Sequence, residues 1–226
     1  VEHSTVEKLD RFAEMLISEN EKFNLTGLKT LEDVKDILIQ KSILPLKEFS
    51  VPRGTRFVDI GTGSGIPGVV IGIMFPGFQG TLIEANGKKV EFIGQVIKEL
   101  NISNIEVRLG RAEEIGHDPD LRKSFDWCFT RAFGPLYYSI EFGFPLLKNG
   151  GHLYIYSALK NAELSDGIIS HIGKLGGTLV PHDKHILTGI GEEGLLMIKK
   201  RDGGEGYPRR FPIIKRESAK IPETNN

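Results

Sequence analysis

The segment Asp59-Ile60-Gly61-Thr62-Gly63-Ser64-Gly65-Ile66-Pro67-Gly68 constrains this chain more than any other. It directly follows a short apolar run, Arg56–Ile60, that reads as a buried strand. Three glycines at alternate positions let the backbone take positive φ and let a ligand approach it closely. Pro67 suits the first turn of a following helix, whose N-terminus presents unpaired N–H groups and the positive end of a dipole. A strand, a glycine turn and a helix in this order are how an open α/β sheet binds a ligand beyond the carboxyl ends of its strands.

The rest of the chain supplies the strands and helices such a sheet needs. Gly80–Glu84, Ile105–Leu109, Phe125–Thr130 and His152–Tyr156 read as further strands, with a last pair at Gly177–Val180 and Leu195–Lys199. Pro67–Phe75, Lys88–Leu100 and Leu136–Leu147 read as helices between them; Val90, Ile93, Val96, Ile97 and Leu100 form one apolar stripe. This alternation predicts βαβ units and a mainly parallel sheet covered on both faces. Residues 1–50 form a helical extension, with apolar faces at Val6, Leu9, Phe12, Ala13, Leu16 and Ile17 and across Leu31–Leu46. Residues 51–202 form the binding domain, and residues 203–226 a tail set off by Asp202-Gly203-Gly204-Glu205-Gly206.

The Gly63, Gly65 and Gly68 spacing also satisfies the G-x-G-x-x-G pattern of dinucleotide-binding domains. An acid at position 59 faces a pyrophosphate unfavourably and suits a ligand that carries an amine and a sulfonium. Glu84, at the end of the second strand, is placed to accept both hydroxyls of an adenosine ribose. It serves NAD and S-adenosylmethionine equally. Arg111-Ala112-Glu113-Glu114 follows the third strand, beside where an adenine would lie; Glu113 and Glu114 also suit the acidic first turn of a helix. Thr130-Arg131-Ala132 offers a guanidinium to a cofactor carboxylate or an RNA phosphate, and Lys160 holds a comparable rim position.

Composition excludes several classes. A 39% apolar and 26% charged chain with no long apolar run is an ordinary globular protein, with no membrane span expected. Val1-Glu2-His3-Ser4 opens no secretory signal, so a cytoplasmic location is expected; the chain is also expected to be a monomer. The single cysteine, Cys128, allows no internal disulfide and reads as a buried strand residue. His182 and His185 lack further ligands at metal spacing, so no metal is expected. The net charge is −1, yet Tyr207–Lys220 concentrates Arg209, Arg210, Lys215, Arg216 and Lys220 against Glu217. Arg209 and Arg210, interleaved with prolines and with Tyr207 and Phe211, read as phosphate contacts on an extended basic segment.

The motifs taken in order resemble one family. Phe23-Asn24-Leu25-Thr26, the Asp59–Gly68 loop, Gly87-Lys88-Lys89-Val90, Arg111-Ala112-Glu113, Thr130-Arg131-Ala132, Ala158-Leu159-Lys160 and Tyr207-Pro208-Arg209-Arg210 together are similar to the bacterial small-subunit ribosomal RNA guanine-N7 methyltransferases (RsmG, or GidB). The resemblance implies a Rossmann-like class I methyltransferase fold with a seven-stranded sheet. It implies S-adenosyl-L-methionine as cofactor and small-subunit (16S) ribosomal RNA or the small ribosomal subunit as partner. It also implies cofactor contacts at Gly61, Ile66, Ala112, Glu113 and Arg131, beside Gly63 and Glu84 read above; it names no catalytic base. Gln40-Lys41-Ser42-Ile43-Leu44-Pro45 stands where the family usually carries a His and an Asp-Ser, and Glu84-Ala85 where it carries Asp-Ser. Two other classes stay open on the residues alone: a nicotinamide-dependent oxidoreductase, and a non-catalytic module binding an adenosyl ligand or RNA.

Overall fold

The computed structural model describes residues 4–23, 25–36, 41–43, 46, 52–157, 164–180 and 194–224. Its centre is a seven-stranded sheet in the order β3-β2-β1-β4-β5-β7-β6. The strands are β1 (Arg56–Ile60), β2 (Gln79–Glu84), β3 (Ile105–Leu109), β4 (Phe125–Arg131), β5 (Leu147–Ser157), β6 (Gly177–Leu179) and β7 (Gly194–Lys200). The first five pair in parallel, and β7 runs antiparallel to both β5 and β6. β1 lies between β2 and β4, so the strand order reverses there and opens a crevice at the carboxyl ends of those strands.

Alternation along the strands divides the core. Phe57, Phe129, Tyr154, Tyr156 and Met197 point to one face, and Val58, Ile60, Cys128, Leu153, Ile155 and Ile198 to the other. Cys128 is fully buried, as its strand position predicts, and burial pushes its thiol well above the usual range.

The first face is covered by α1 (Thr5–Asn20), α4 (Gly68–Met74) and α5 (Gly87–Glu99). α1 starts at Ser4, whose Oγ accepts from the Glu7 amide at 3.3 Å while the Glu7 carboxylate accepts from the Ser4 amide at 2.7 Å. α5 starts on the Asn86 side chain, which accepts from the Lys88 amide at 3.0 Å. Of the helical stretch expected at Leu31–Leu46, the described residues form a short α2 (Leu31–Asp33) running into a wider turn at Val34–Asp36, and α3 (Lys41–Ile43). Phe12, Ala13, Leu16, Val34 and Leu46 share one core with Val69, Val70 and Phe92, so the N-terminal extension is built into the domain.

The second face is covered by α6 (Ala112–Ile115), α7 (Leu136–Gly143), α8 (Asp166–Lys174) and α9 (Phe211–Ser218). α8 and α9 were not expected. Prolines around Phe211 read as helix-opposing, but Pro212 falls in the first turn, where its missing N–H costs nothing. The C-terminal segment is therefore no free tail: Ile214 is fully buried, Phe211 packs on the core, and Leu164 bridges to Thr224.

Candidate cofactor site

The glycine loop owes its shape to buried polar bonds. Gly61, Gly63 and Gly65 take φ of 64°, 61° and 91°. Asp59 is completely buried at the end of β1; its Oδ2 accepts from Thr62 Oγ1 at 2.6 Å and from the Gly68 amide at 2.9 Å. One carboxylate thus closes both ends of the turn. Burial pushes the Asp59 pKa up to about 7, opposed by the Thr62 and Gly68 hydrogen bonds and by the positive charge of Arg131. This corrects the expectation that Asp59 faces a ligand: it shapes the loop from behind.

The glycines divide the work. A Cβ on Gly61 would stand 2.4 Å from Phe133 Cδ2, so that glycine makes room for the protein's own ring. Among the described residues, a Cβ on Gly63 would meet only the Gly61 carbonyl oxygen, at 3.8 Å, so they leave the backbone bare there for a ligand to approach.

Glu84, at the end of β2, is bonded to this loop. Its Oε2 accepts from the Gly63 amide at 2.9 Å and its Oε1 from the Asn86 amide at 2.8 Å. A carboxylate has about four lone-pair sites, so capacity remains for two ribose hydroxyls. The Gly110 amide donates to the Glu84 carbonyl at 2.9 Å, which brings the start of α6 to the same rim. There Ala112 is buried, and the Glu113 carboxylate accepts from Arg111 Nε at 2.7 Å. Glu84, the bare backbone at Gly63 and the start of α6 thus line one edge, a donor and acceptor set that fits an adenosyl group.

Arg131 ends β4 on the other side of β1. Its guanidinium lies over the Tyr156 ring, 5.6 Å from Cζ to centroid, and Nη1 reaches Ser42 Oγ at 3.4 Å. Because β4 pairs in parallel with β1, Arg131 stands at the same carboxyl-end edge of the sheet as the glycine loop.

Ile66 is buried within the core, and its amide donates to the Thr62 carbonyl at 3.2 Å. One expected residue sits differently. Arg209 is not a solvent-facing phosphate contact. Its Nε and Nη2 chelate the fully buried carboxylate of Glu141 at 2.9 and 2.8 Å, and Nη1 holds Glu217 at 2.7 Å. Arg210 stands exposed on the surface; Lys160, His182 and His185 lie outside the described residues. Sequence reasoning missed Thr62, Phe133, Ser42 and Tyr156. No local signal marked Tyr156, which meets Arg131 only because β4 and β5 pair in this register. No group of His, Cys, Asp and Glu suited to a metal occurs among the described residues, and no helix among them is long and apolar enough to cross a membrane.

Comparison with known proteins places the chain in a family. The family model described as rRNA small subunit methyltransferase G (GidB) matches residues 5–168. The ribosomal RNA small subunit methyltransferase G of Syntrophomonas wolfei is 35% identical over 205 residues, covering 89% of this chain and 94% of that protein. That of Carboxydothermus hydrogenoformans is 35% identical over 221 residues, covering 93% and 90%. The chain belongs to the rRNA small subunit methyltransferase G family. It is an S-adenosylmethionine-dependent ribosomal RNA methyltransferase, and the oxidoreductase and non-catalytic readings fall. Among solved structures, a mutant of MtNAS in complex with S-adenosylmethionine aligns at a TM-score of 0.57 and 16% identity, over 86% of this chain and 77% of that one. That likeness shows the fold alone.

Proposed function

We propose that this methyltransferase modifies N7 of a guanine in small-subunit ribosomal RNA, and that its cofactor lies along the rim running from Gly63 and Glu84 to Arg131. The observation that carries the assignment is the Gly63 amide to Glu84 bond, which joins bare loop backbone and ribose-accepting carboxylate into one surface. Glu84 accepts the ribose hydroxyls; Gly61 and Gly63 offer backbone to the amino-acid end; the Ala112-Glu113 turn lies beside the adenine. Arg131 faces the cofactor carboxylate. The cofactor supplies a methyl group on a positively charged sulfur.

Guanine N7 carries a lone pair and no proton. In-line displacement at the methyl group therefore asks no general base of the chain, whose residues contribute alignment and a fixed electrostatic field. The RNA is held through phosphates, with the base presented from an unpaired region. Arg210, Lys215, Arg216 and Lys220, all exposed around α9, supply the phosphate contacts in place of Arg209. Isothermal titration tests the cofactor assignment: S-adenosylmethionine binds, and Glu84→Ala weakens it by about tenfold or more, as expected for a charge-assisted pair. Binding of NADH instead, or unchanged binding by the variant, refutes it.

A further inference from the structure

The end of β5 carries a buried aromatic that the cofactor assignment does not use. Tyr156 is only 2% exposed and pairs in register with Arg131. Its ring lies under the Arg131 guanidinium, and its hydroxyl donates to the Ser42 carbonyl at 3.1 Å. Ser42 is fully buried in α3, and its own Oγ lies 3.4 Å from Arg131 Nη1. One side chain thus joins three elements at the crevice rim: the ends of β4 and β5, and the segment that leads out of the N-terminal extension.

From this joint we infer that Tyr156 is a positioning residue, which holds the Arg131 guanidinium over its ring at the crevice and ties its placement to the N-terminal segment. The inference rests on the reading of Arg131 as a cofactor contact. An arginine has several rotatable bonds, and a free one would have to be ordered each time the cofactor binds. A ring beneath the guanidinium removes that cost beforehand and attracts the cation, most strongly where water is excluded. The tyrosine hydroxyl has a separate task, since it fixes the ring to α3 through a backbone carbonyl. Ring and hydroxyl therefore separate by experiment: the ring sets Arg131, the hydroxyl sets α3.

Four full-length variants, titrated calorimetrically with S-adenosylmethionine and melted in parallel, test this. Tyr156→Leu removes the ring and weakens cofactor binding by about three- to thirtyfold, the range of a cation–π contact. Tyr156→Phe keeps the ring, binds the cofactor within about twofold of wild type, and melts at a lower temperature because the Ser42 link is gone. Arg131→Lys keeps the charge but loses the guanidinium that lies over the ring, and weakens binding even if Tyr156→Leu proves too unstable to titrate. Cofactor binding by Tyr156→Leu or Arg131→Lys that equals wild type overturns the proposal, as does equal weakening by Phe and Leu. Arg131→Gln separates this from the underlying reading. If it binds the cofactor as tightly as wild type, Arg131 is no cofactor contact; if it binds weakly while Tyr156→Leu binds normally, only the positioning role fails.

Discussion

Replacing Arg209 by methionine tests the part of the structure that departs most from what a basic C-terminal segment suggests. Glu141 sits fully buried in α7, and its two oxygens accept from the Arg209 amide at 3.0 Å, from Nε at 2.9 Å and from Nη2 at 2.8 Å. Nη2 also meets the Tyr137 hydroxyl at 3.0 Å. The His171 ring stacks on Tyr137 at 3.6 Å; its Nε2 is 3.3 Å from Glu141 Oε2 but too poorly aligned for a hydrogen bond. Burial pushes the Glu141 carboxyl up, yet the Arg209 side chain, the nearby His171 and the Arg209 amide outweigh it and hold the pKa at about 2, against an ordinary 4.5. That shift corresponds to about 3 kcal/mol. Breaking one side of a buried pair costs about 3–5 kcal/mol, the same range.

For a chain of this length about 1 kcal/mol moves the melting temperature by roughly 2–4 °C, so Arg209→Met is expected to melt about 10 °C lower at pH 7. Because the folded pKa of Glu141 is depressed, its stabilisation is present above about pH 4.5 and disappears as pH falls towards 2. The gap between wild type and variant therefore closes in acid. Adding Glu141→Gln to Arg209→Met removes the stranded charge and recovers most of the loss. Calorimetric melts from about pH 3 to 8 read all three outcomes. If Arg209→Met melts within about 2 °C of wild type across that range and weakens RNA binding instead, Arg209 is the solvated phosphate contact that its sequence context suggests.

Other expectations follow from the site. Gly63→Val loses S-adenosylmethionine binding in a titration while remaining folded, whereas Gly61→Ala drives a methyl group into Phe133 and shows its loss in the melt; the reverse pattern would misassign both glycines. Asp59 has a raised folded pKa, so its contribution is fully present below about pH 3.8 and disappears as pH rises through about 7. Stability of wild type relative to Asp59→Asn should then fall by about 4 kcal/mol between those limits, and a flat difference would show that burial does not govern Asp59. Changing Arg210, Lys215 and Arg216 together to glutamine should leave cofactor affinity intact and lower the log–log salt slope of RNA binding by about 2, at roughly 0.7–0.9 per contact; an unchanged slope removes α9 from the RNA surface.

The parallel core was legible because each strand is a short apolar run ending at a polar residue with a job, as at Asp59, Glu84 and Arg131. The glycine loop was legible because positive φ leaves few choices but glycine. Long-range polar pairs were not. Arg209 and Glu141 lie 68 residues apart, and nothing local says that the tail folds back. One clue was present: Glu141 is the sole charge in the apolar stretch Leu136–Leu146, and a lone buried acid requires a partner. Phe133 over Gly61, and Tyr156 beneath Arg131, likewise depend on how separate strand ends meet, which spacing along the chain does not encode.

Methyl transfer from S-adenosylmethionine to guanine N7 in small-subunit ribosomal RNA is directly measurable. The most direct test incubates the purified protein and methyl-labelled cofactor with small-subunit RNA lacking base methylation, then digests the RNA and maps the label by mass spectrometry. Label is expected in 7-methylguanosine at one position, and less of it with Glu84→Ala at limiting cofactor. Label confined to another base or another ring atom, or no transfer to either naked RNA or assembled subunits, would contradict it.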